Sequence, residues 1–328
     1  MIKKVPDYAF PILRDIYSVD EAEFETLDPD ALIDRIQRVH KGLSAEHEFA
    51  AIAAWLGKCS LLSQLDDVLH SSGVYRAPDF LVVANHEGRE VPFLVEVKST
   101  DVGKLKWSAS YFESLRAFAR LLNLPLLIAW KRGRLWVLTD ASHFTKKVTA
   151  YHLTFEEALK NSLMSVLFGN VWIRFTEDFR LEFRMRIKDD VDFNVEVLPE
   201  GTCTLQIEDA GLWGSKGRLR PDQGKELWWF LVTAASETTF DRVHDIATQR
   251  FIAESASMFN LSDVLLAQLL WNKGDEDAIE WLTEIRRGLP KLKTDLHELL
   301  RHAVEVGAVR YVFDQIPQVV PDFLKQAR

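Results

Sequence analysis

Apolar residues follow helical spacing in some parts of the chain and form strand-like runs in others. Helical spacing predicts a helix near 30–40 and a second helix from about 44 to 58. Two apolar runs on either side of the polar segment 85–90 predict a β-hairpin over 80–97. On a helical wheel, the buried face of the second helix consists of Ala45, Phe49, Ile52, Ala53 and Leu56.

A further helix and two strands are predicted after the hairpin. The helix starts at about Ser110, where Ser110 and Glu113 fit a capping box with Ser110 at the N-cap. The two strands cover about 126–130 and 135–138. This order of elements predicts an α/β core that ends near residue 140.

The pattern changes in the second half of the chain. A helix over 156–167 and four short strands predict a β-rich middle domain, 143–222. The predicted strands are Val171–Phe175, Arg180–Ile187, Phe193–Val197 and Cys203–Ile207. Residues 223–328 are predicted to form a mainly helical C-terminal domain, and the acidic segment 1–37 is predicted to form a helix or an arm.

A helix that ends at Gly307 is predicted close to the C-terminus. Two short apolar runs follow it, 308–313 and 318–320, and they predict a hairpin. A helix followed by a hairpin is compatible with a winged-helix module, but many packed helical domains end in a similar way. Both interpretations of this α+β region stay open.

Three charged residues stand out in the first hairpin: Asp79, Glu96 and Lys98. Side chains alternate between the two faces of a strand, so Glu96 and Lys98 share one face. If the hairpin folds symmetrically about Glu87-Gly88, paired residue numbers sum to 175 and Asp79 lies opposite Glu96. Opposed residues have Cβ atoms about 4.5–5.5 Å apart. Two carboxylates that close repel each other unless a cation lies between them, so the spacing predicts a Mg²⁺ site with a lysine beside it.

Two acids on the helix 44–58 are candidates to complete this cluster. Glu46 lies about 60° from the centre of the buried face, and Glu48 lies about 100° away on the other side. We therefore predict that Glu46 is nearer the core boundary and joins the cluster. Glu48 is predicted to be an ordinary surface acid, which is also the alternative for Glu46.

Basic residues are concentrated in one segment of a chain whose net charge is −9. Residues 98–147 carry ten Lys and Arg and three acids, which gives +7 and leaves −16 for the rest. Phosphate binding requires a local basic patch, although a solvated basic face is the alternative. The candidate nucleic-acid contacts are Ser99, Lys104, Lys106, Arg116, Arg120, Lys131, Arg132 and Arg134.

Composition excludes several classes of protein. The chain has 328 residues, of which 47% are hydrophobic and 27% are charged, and these values are ordinary for a globular protein. No apolar run approaches membrane-spanning length, and Met1–Lys4 leads into no signal-peptide core. Cys59 and Cys203 lack the spacing of a zinc ribbon or a disulfide framework, so we expect a reducing cytoplasm.

The order of these motifs resembles that of archaeal Holliday junction resolvases, which belong to the PD-(D/E)xK nuclease superfamily. Residues 41–49, Lys-Gly-Leu-Ser-Ala-Glu-His-Glu-Phe, resemble the family's opening KGxxAExE motif. Asp79 and the segment 96–100, Glu-Val-Lys-Ser-Thr, resemble its catalytic hairpin. The family's next helix and closing strands are matched by residues 115–120, 126–131 and Trp136.

The resemblance covers about residues 38–140 and implies a nuclease domain over 38–142. That domain would have a restriction-endonuclease-like core, in which helices flank a mixed central sheet. The implied activity is that of an endodeoxyribonuclease that requires Mg²⁺ or Mn²⁺ and hydrolyses phosphodiester bonds of branched or duplex DNA. Such cores commonly form homodimers, and the remaining C-terminal region would bind DNA, a protein partner or a regulatory signal.

The resemblance also implies a role for each motif residue. Asp79, Glu96 and the main-chain carbonyl of Val97 would bind the metal ion. Glu46 would complete the acidic cluster directly or through water. Lys98 would orient the attacking water or stabilise negative charge on the phosphate, and these side chains are the predicted catalytic residues.

Several alternatives remain at the level of the sequence. The loop after Asp79 and the long C-terminal extension both depart from compact resolvases, so a restriction or defence nuclease is a serious competitor. A non-catalytic nucleic-acid-binding or assembly protein that retained the fold is the alternative of another class. An exposed Glu96–Lys98 ion pair would have little energetic value. Trp107 and Tyr111 could stack on a base, although packing in the core is favoured.

Overall fold

The computed structural model describes six segments of the chain. These segments are 45–65, 74–187, 205–219, 237–252, 258–263 and 296–325. The predictions made for the acidic segment 1–37, for the helix near 30–40 and for the strand at 193–197 lie outside the described residues. Residues 41–44 of the opening motif also lie outside them.

The first part of the described chain forms a mixed α/β structure around a five-stranded sheet. The strand order is β1-β2-β3-β5-β6, in which β3 and β5 are parallel and the other neighbouring pairs are antiparallel. The sheet is therefore mixed, as the family resemblance implies. The strands are β1 (Cys59–Gln64), β2 (Phe80–His86), β3 (Arg89–Ser99), β5 (Leu126–Arg132) and β6 (Leu135–Asp140).

The β2–β3 hairpin has the predicted register. Phe80 pairs with Val95, so paired residue numbers sum to 175. Glu87 and Gly88 form the turn with φ values of 52° and 80°. Two positive φ values are required by the type I′ turn, whose twist matches that of the two strands. The Gly88 N–H also donates to Asn85 Oδ1 at 3.1 Å, and both strands extend further into the segment predicted as a loop.

Helices cover both faces of the central sheet. Helix α1 (45–55) buries its predicted apolar face against the side of β3 that carries Val95 and Val97. Helix α2 (Ala109–Leu122) packs on the opposite side. The predicted cap of α2 is wrong by two residues, because Ser108 is the N-cap and its Oγ accepts from the Tyr111 N–H at 3.2 Å.

A small antiparallel sheet extends the core on the α2 side. It consists of β4 (Lys104–Ser108), β8 (Ala150–Thr154) and β7 (Thr145–Lys147). The predicted helix 156–167 is divided into α3 (Phe155–Lys160) and one π-helical turn, Met164–Phe168. The division arises because the Leu163 N–H donates to the Leu138 carbonyl of β6 at 2.6 Å.

The later part of the chain contains more strand than predicted. A second five-stranded sheet has the order β12-β11-β10-β14-β13, and all its neighbouring pairs are antiparallel. Its strands are β10 (Arg180–Ile187), β11 (Leu205–Gly214), β12 (Gly217–Leu219), β13 (Glu237–Val243) and β14 (Ile246–Ile252). The prediction of a mainly helical region from 223 is therefore wrong over 237–252, where pairing of β14 with β10 and of β13 with β14 outweighs local preference.

The predicted hairpin at the C-terminus is also wrong. Helix α4 (Leu296–Glu305) is followed by Gly307 with φ 74°, as expected for a helix stop. The next strand, β16 (Val309–Phe313), joins β9 (Trp172–Phe175) and β15 (Met258–Asn260) in a three-stranded sheet.

The segment after β16 follows a different path from a wing. The Gln318 N–H donates to the Lys160 carbonyl at 3.0 Å, and the Val319 N–H donates to Asn161 Oδ1 at 3.1 Å. The main chain at 318–319 is thus bound beside α3 and not along β16. None of the helices in the described segments is both long and apolar enough to cross a membrane.

Candidate metal centre

Asp79 and Glu96 come together at one end of the central hairpin. Asp79 precedes β2, and Asp79 Oδ2 accepts a hydrogen bond from the Val97 N–H at 2.6 Å. In this register Val97 stands opposite Pro78, beyond the first pair of the ladder. The Val97 N–H therefore binds the carboxylate of Asp79 and holds it beside Glu96 on the neighbouring strand.

Glu96 is buried and shares one carboxylate oxygen between two donors. Glu96 Oε1 accepts from Lys98 Nζ at 2.5 Å and also from the Tyr111 hydroxyl. The side chain of Glu96 is only 3% exposed, whereas that of Lys98 is 31% exposed. The pair is therefore not the solvated surface ion pair considered for these residues. The hydrogen-bond partner of the Asp79 carboxylate likewise lies on β3.

The acids of this cluster affect one another's pKa values. Burial raises the pKa of Asp79 to about 8, and the charges of Glu96 and Glu46 add to this rise. Burial also raises the pKa of Glu46, which Lys98 lowers and Glu96 raises. Burial acts to lower the pKa of Lys98, but the charges of Glu96, Tyr111 and Asp79 outweigh it and the net change is upward. The charges of these groups thus act on one another, and the metal-free cluster favours the protonated form of Asp79.

The two carboxylates suit a hard divalent cation that takes only a few of its ligands from the protein. Mg²⁺ usually keeps several waters and takes one or two carboxylates from the protein. Within the described segments, no group of three or more His, Cys, Asp or Glu side chains is arranged to hold a metal ion. Asp79 and Glu96 would supply the two carboxylates, and a cation beside them would allow Asp79 to ionise at neutral pH.

The raised pKa of Asp79 should make the stability of the metal-free protein depend on pH. The folded pKa, about 8, lies above the ordinary value of 3.8. The folded state therefore retains a proton between these two values that the unfolded state loses, so stability falls as pH rises through this window. We expect a loss of about 3–4 kcal/mol between pH 5 and pH 8, at about 1.4 kcal/mol for each pH unit, measured by urea unfolding in EDTA. Asp79→Asn should lose less stability over the same range, and an equal loss in both proteins would contradict the assignment.

The prediction that Glu48 is an ordinary surface acid is wrong. It is 7% exposed, and its carboxylate accepts from Lys131 Nζ at 2.5 Å and from Trp136 Nε1 at 2.8 Å. Buried carboxylates are tolerated when they are paired and hydrogen-bonded. The helical wheel placed Glu48 farther from the core because it could not include the donors from β5 and β6. Glu46 is half-buried, and its pKa responds to Lys98 and Glu96.

Tyr111 and Arg76 are site residues that sequence reasoning missed. The Tyr111 hydroxyl binds Glu96, and the Arg76 guanidinium lies over the Tyr111 ring, 4.7 Å from its centroid. Burial raises the pKa of Tyr111 to about 12, so the phenol stays protonated and acts as a donor. The position of Tyr111 in the first turn of a helix after the hairpin was the available signal. Trp107 is 7% exposed and packs against Phe144, which confirms its predicted packing role.

Most of the predicted nucleic-acid contacts have partners within the protein. Lys131 binds Glu48, so it does not contribute a free surface charge. Arg134 lies 3.3 Å from Asp263, and Arg132 donates to the Asp101 carbonyl at 3.2 Å. Arg116 and Arg120 lie 3.6 and 3.8 Å from Glu113. Ser99 is half-buried at the end of β3.

Lys104 and Lys106 form part of a basic face on the small sheet. Both are exposed on β4, and Lys106 is paired in register with His152 of β8. The pKa of His152 is lowered by burial and then by Lys104, Lys106 and Lys147. Three lysines, the two predicted ones and Lys147, therefore lie around His152 and give this face a positive charge.

The chain has a distant structural similarity to a solved nuclease. The 1.6 Å structure of Hjc, a Holliday junction resolvase from the archaeal hyperthermophile Archaeoglobus fulgidus, has 18% sequence identity to this chain. The similarity covers 35% of this chain and 85% of the resolvase, with a TM-score of 0.29. No family model matches the sequence, and no curated protein matches it. A similarity this distant does not assign an activity.

Proposed function

We propose that this protein is a Mg²⁺-dependent endonuclease that hydrolyses phosphodiester bonds in DNA. The observation that carries the proposal is the convergence of Asp79, Glu96 and Lys98 at one end of a single hairpin. Two mutually repelling carboxylates with a lysine beside them suit a cation and a phosphate together. The order of the motifs, which resembles that of PD-(D/E)xK nucleases, supports the same reaction.

Each residue of the cluster has a defined task in this proposal. Asp79 and Glu96 hold the ion, and Mg²⁺ or Mn²⁺ would polarise the scissile phosphodiester and lower the pKa of a bound water. The Val97 carbonyl and Glu46 are the predicted additional ligands, with Glu46 acting directly or through water. Lys98, which is partly exposed, orients the attacking water or stabilises charge on the phosphate. Tyr111 orients the Glu96 carboxylate through its hydroxyl.

Cleavage assays on a panel of nucleic acids would identify the substrate. The panel compares a four-way junction, linear duplex, nicked circle, single-stranded DNA and RNA, each in Mg²⁺ with Lys98→Ala as the control. A preference for the junction supports a resolvase, and cleavage of plain duplex supports a restriction or defence nuclease. Absence of metal-dependent cleavage on all five substrates would remove the enzyme proposal. Homodimer formation, which the resemblance implies, is measured by sedimentation of the same samples.

Metal binding should be detectable without any substrate. We expect Mn²⁺ or Mg²⁺ at saturating concentration to stabilise the wild-type protein by about 2–3 kcal/mol, because the ion binds only the folded state. Asp79→Asn should lose this stabilisation, since an amide is a weaker ligand and carries no charge. Asp322→Asn is the matched control, because Asp322 pairs with Lys325 on the surface. Equal metal stabilisation of wild type and Asp79→Asn would contradict the site.

One observation favours a second function, that of a non-catalytic nucleic-acid-binding or assembly protein. Lys98 already pairs with Glu96, so part of the negative charge is neutralised without an ion. A protein that had lost catalysis could retain this pair for stability. Binding of DNA without metal stabilisation or cleavage would favour this function over the nuclease.

A further inference from the structure

Arg76 is an exposed residue fixed beside the proposed metal centre. It precedes Asp79 by three positions, and its main-chain N–H donates to the Ser114 carbonyl of α2 at 3.3 Å. Its guanidinium carbon lies 4.7 Å from the centroid of the Tyr111 ring. The residue is therefore held to α2 at its main chain and at the end of its side chain.

Tyr111 connects this guanidinium to the cluster. The Tyr111 hydroxyl binds Glu96, and Lys98 Nζ lies 5.7 Å from the centroid of the same ring. The side chains of Arg76 and Lys98 thus both lie near the Tyr111 ring, next to Asp79 and Glu96. Within the described segments, no acidic side chain forms an ion pair with Arg76, so its charge is available to a ligand.

The chemistry of a stacked guanidinium favours a phosphate as that ligand. Stacking on an aromatic face leaves the planar edge of Arg, with its N–H donors, directed away from the ring. That edge matches two oxygens of a phosphate, whereas a lysine acts as a point charge. Because the ring limits the motion of the side chain, less conformational entropy is lost when the phosphate binds.

We propose that Arg76 binds a backbone phosphate of the nucleic acid next to the one that is cut, and that Tyr111 holds it there. This inference rests on the proposed nuclease function and adds a substrate contact to it. Arg76 would place the strand so that the scissile phosphate lies beside Lys98 and the two acids. Tyr111 would then be a positioning residue for both Glu96 and Arg76.

The test measures binding of a fluorescein-labelled duplex DNA with Ca²⁺ in place of Mg²⁺. We expect Arg76→Ala to weaken binding about tenfold, as for loss of a hydrogen bond to a charged group. The slope of log K against log salt should decrease in magnitude by about 0.9, which corresponds to one phosphate. Arg310→Ala is the matched control, because Arg310 is also exposed and lies 5.6 Å from the ring centroid of Tyr311, outside the site.

Substitutions at Tyr111 distinguish the effect of the aromatic ring on DNA binding from the effect of the Arg76 charge. Tyr111→Leu removes the ring and should weaken DNA binding in the same direction, while Arg76→Ala should add little in the Tyr111→Leu background. Tyr111→Phe keeps the ring and should retain DNA binding, but it should weaken Mn²⁺ binding because Glu96 loses a hydrogen bond. Metal-dependent thermal stabilisation of Arg76→Ala should equal that of the wild type.

The outcomes distinguish this inference from the function on which it rests. If the wild type cuts and binds DNA, and Arg76→Ala matches Arg310→Ala in affinity and salt slope, then Arg76 is not a phosphate contact. An additive effect of Arg76→Ala and Tyr111→Leu would overturn the role of the stack. A wild type that neither binds nor cuts DNA or RNA would overturn both the nuclease function and this contact.

Discussion

Replacing Lys98 with alanine should reduce the rate of DNA cleavage by about a hundredfold to a thousandfold while the protein keeps its fold. Lys98 Nζ contacts Glu96 and is partly exposed, so it can reach both the acids and an incoming phosphate. Its removal leaves Glu96 hydrogen-bonded to Tyr111. The measurement is single-turnover cleavage of the preferred substrate, together with circular dichroism and thermal unfolding.

Lys160→Ala is the matched control for this variant. Lys160 also pairs with a glutamate, Glu156, at 2.6 Å, but the pair lies on the surface of α3. Exposed pairs of this kind contribute about 0–1 kcal/mol, so neither stability nor cleavage should change measurably. A Lys98→Ala protein that cleaves DNA at the wild-type rate would show that the lysine has no part in the reaction.

Replacing Glu48 with alanine should destabilise the protein by about 3–5 kcal/mol. The substitution removes the carboxylate that accepts from the partly buried Lys131 Nζ and from the buried Trp136 Nε1. An uncompensated charge and an unpaired indole N–H are both costly away from water. Urea unfolding followed by tryptophan fluorescence and by circular dichroism measures the change in free energy.

Glu46→Ala is the comparison, because Glu46 lies on the same helix two positions earlier. Burial and the charge of Glu96 disfavour its ionised form, so its removal should leave the free energy of unfolding unchanged or slightly higher. Cleavage should nevertheless decrease, because the acidic cluster loses a member. A large loss of stability in Glu46→Ala with none in Glu48→Ala would reverse the roles assigned to the two acids.

The central hairpin could be predicted from the sequence because local rules determine it. The alternation of side chains placed Glu96 and Lys98 on one face, and the Glu87-Gly88 turn set the register. The buried face of α1 could be predicted for the same reason, since helical periodicity selects it. Asp79 and Glu96 were found because both belong to this local pattern.

The missed residues depend on contacts between distant parts of the chain. Glu48 is buried because Lys131 and Trp136 arrive from strands more than eighty positions later. Tyr111 lies in the first turn of α2 because the N-cap is Ser108, two residues before the predicted cap at Ser110. The strands over 237–252 depend on pairing across the sheet, since β14 pairs with β10 and β13 pairs with β14. Neither periodicity nor capping preference contains this information.

The small sheet beyond the central one has a consequence for how the molecule can be divided. Phe144, Tyr151 and Phe155 belong to the same buried cluster as Trp107 and Phe112 of the α2 side. A fragment that stops at residue 142 would keep every motif residue but would expose this aromatic surface to water. The central hairpin is therefore not part of a folding unit that ends at residue 142. Expression of a minimal fragment should require the chain to continue at least through α3.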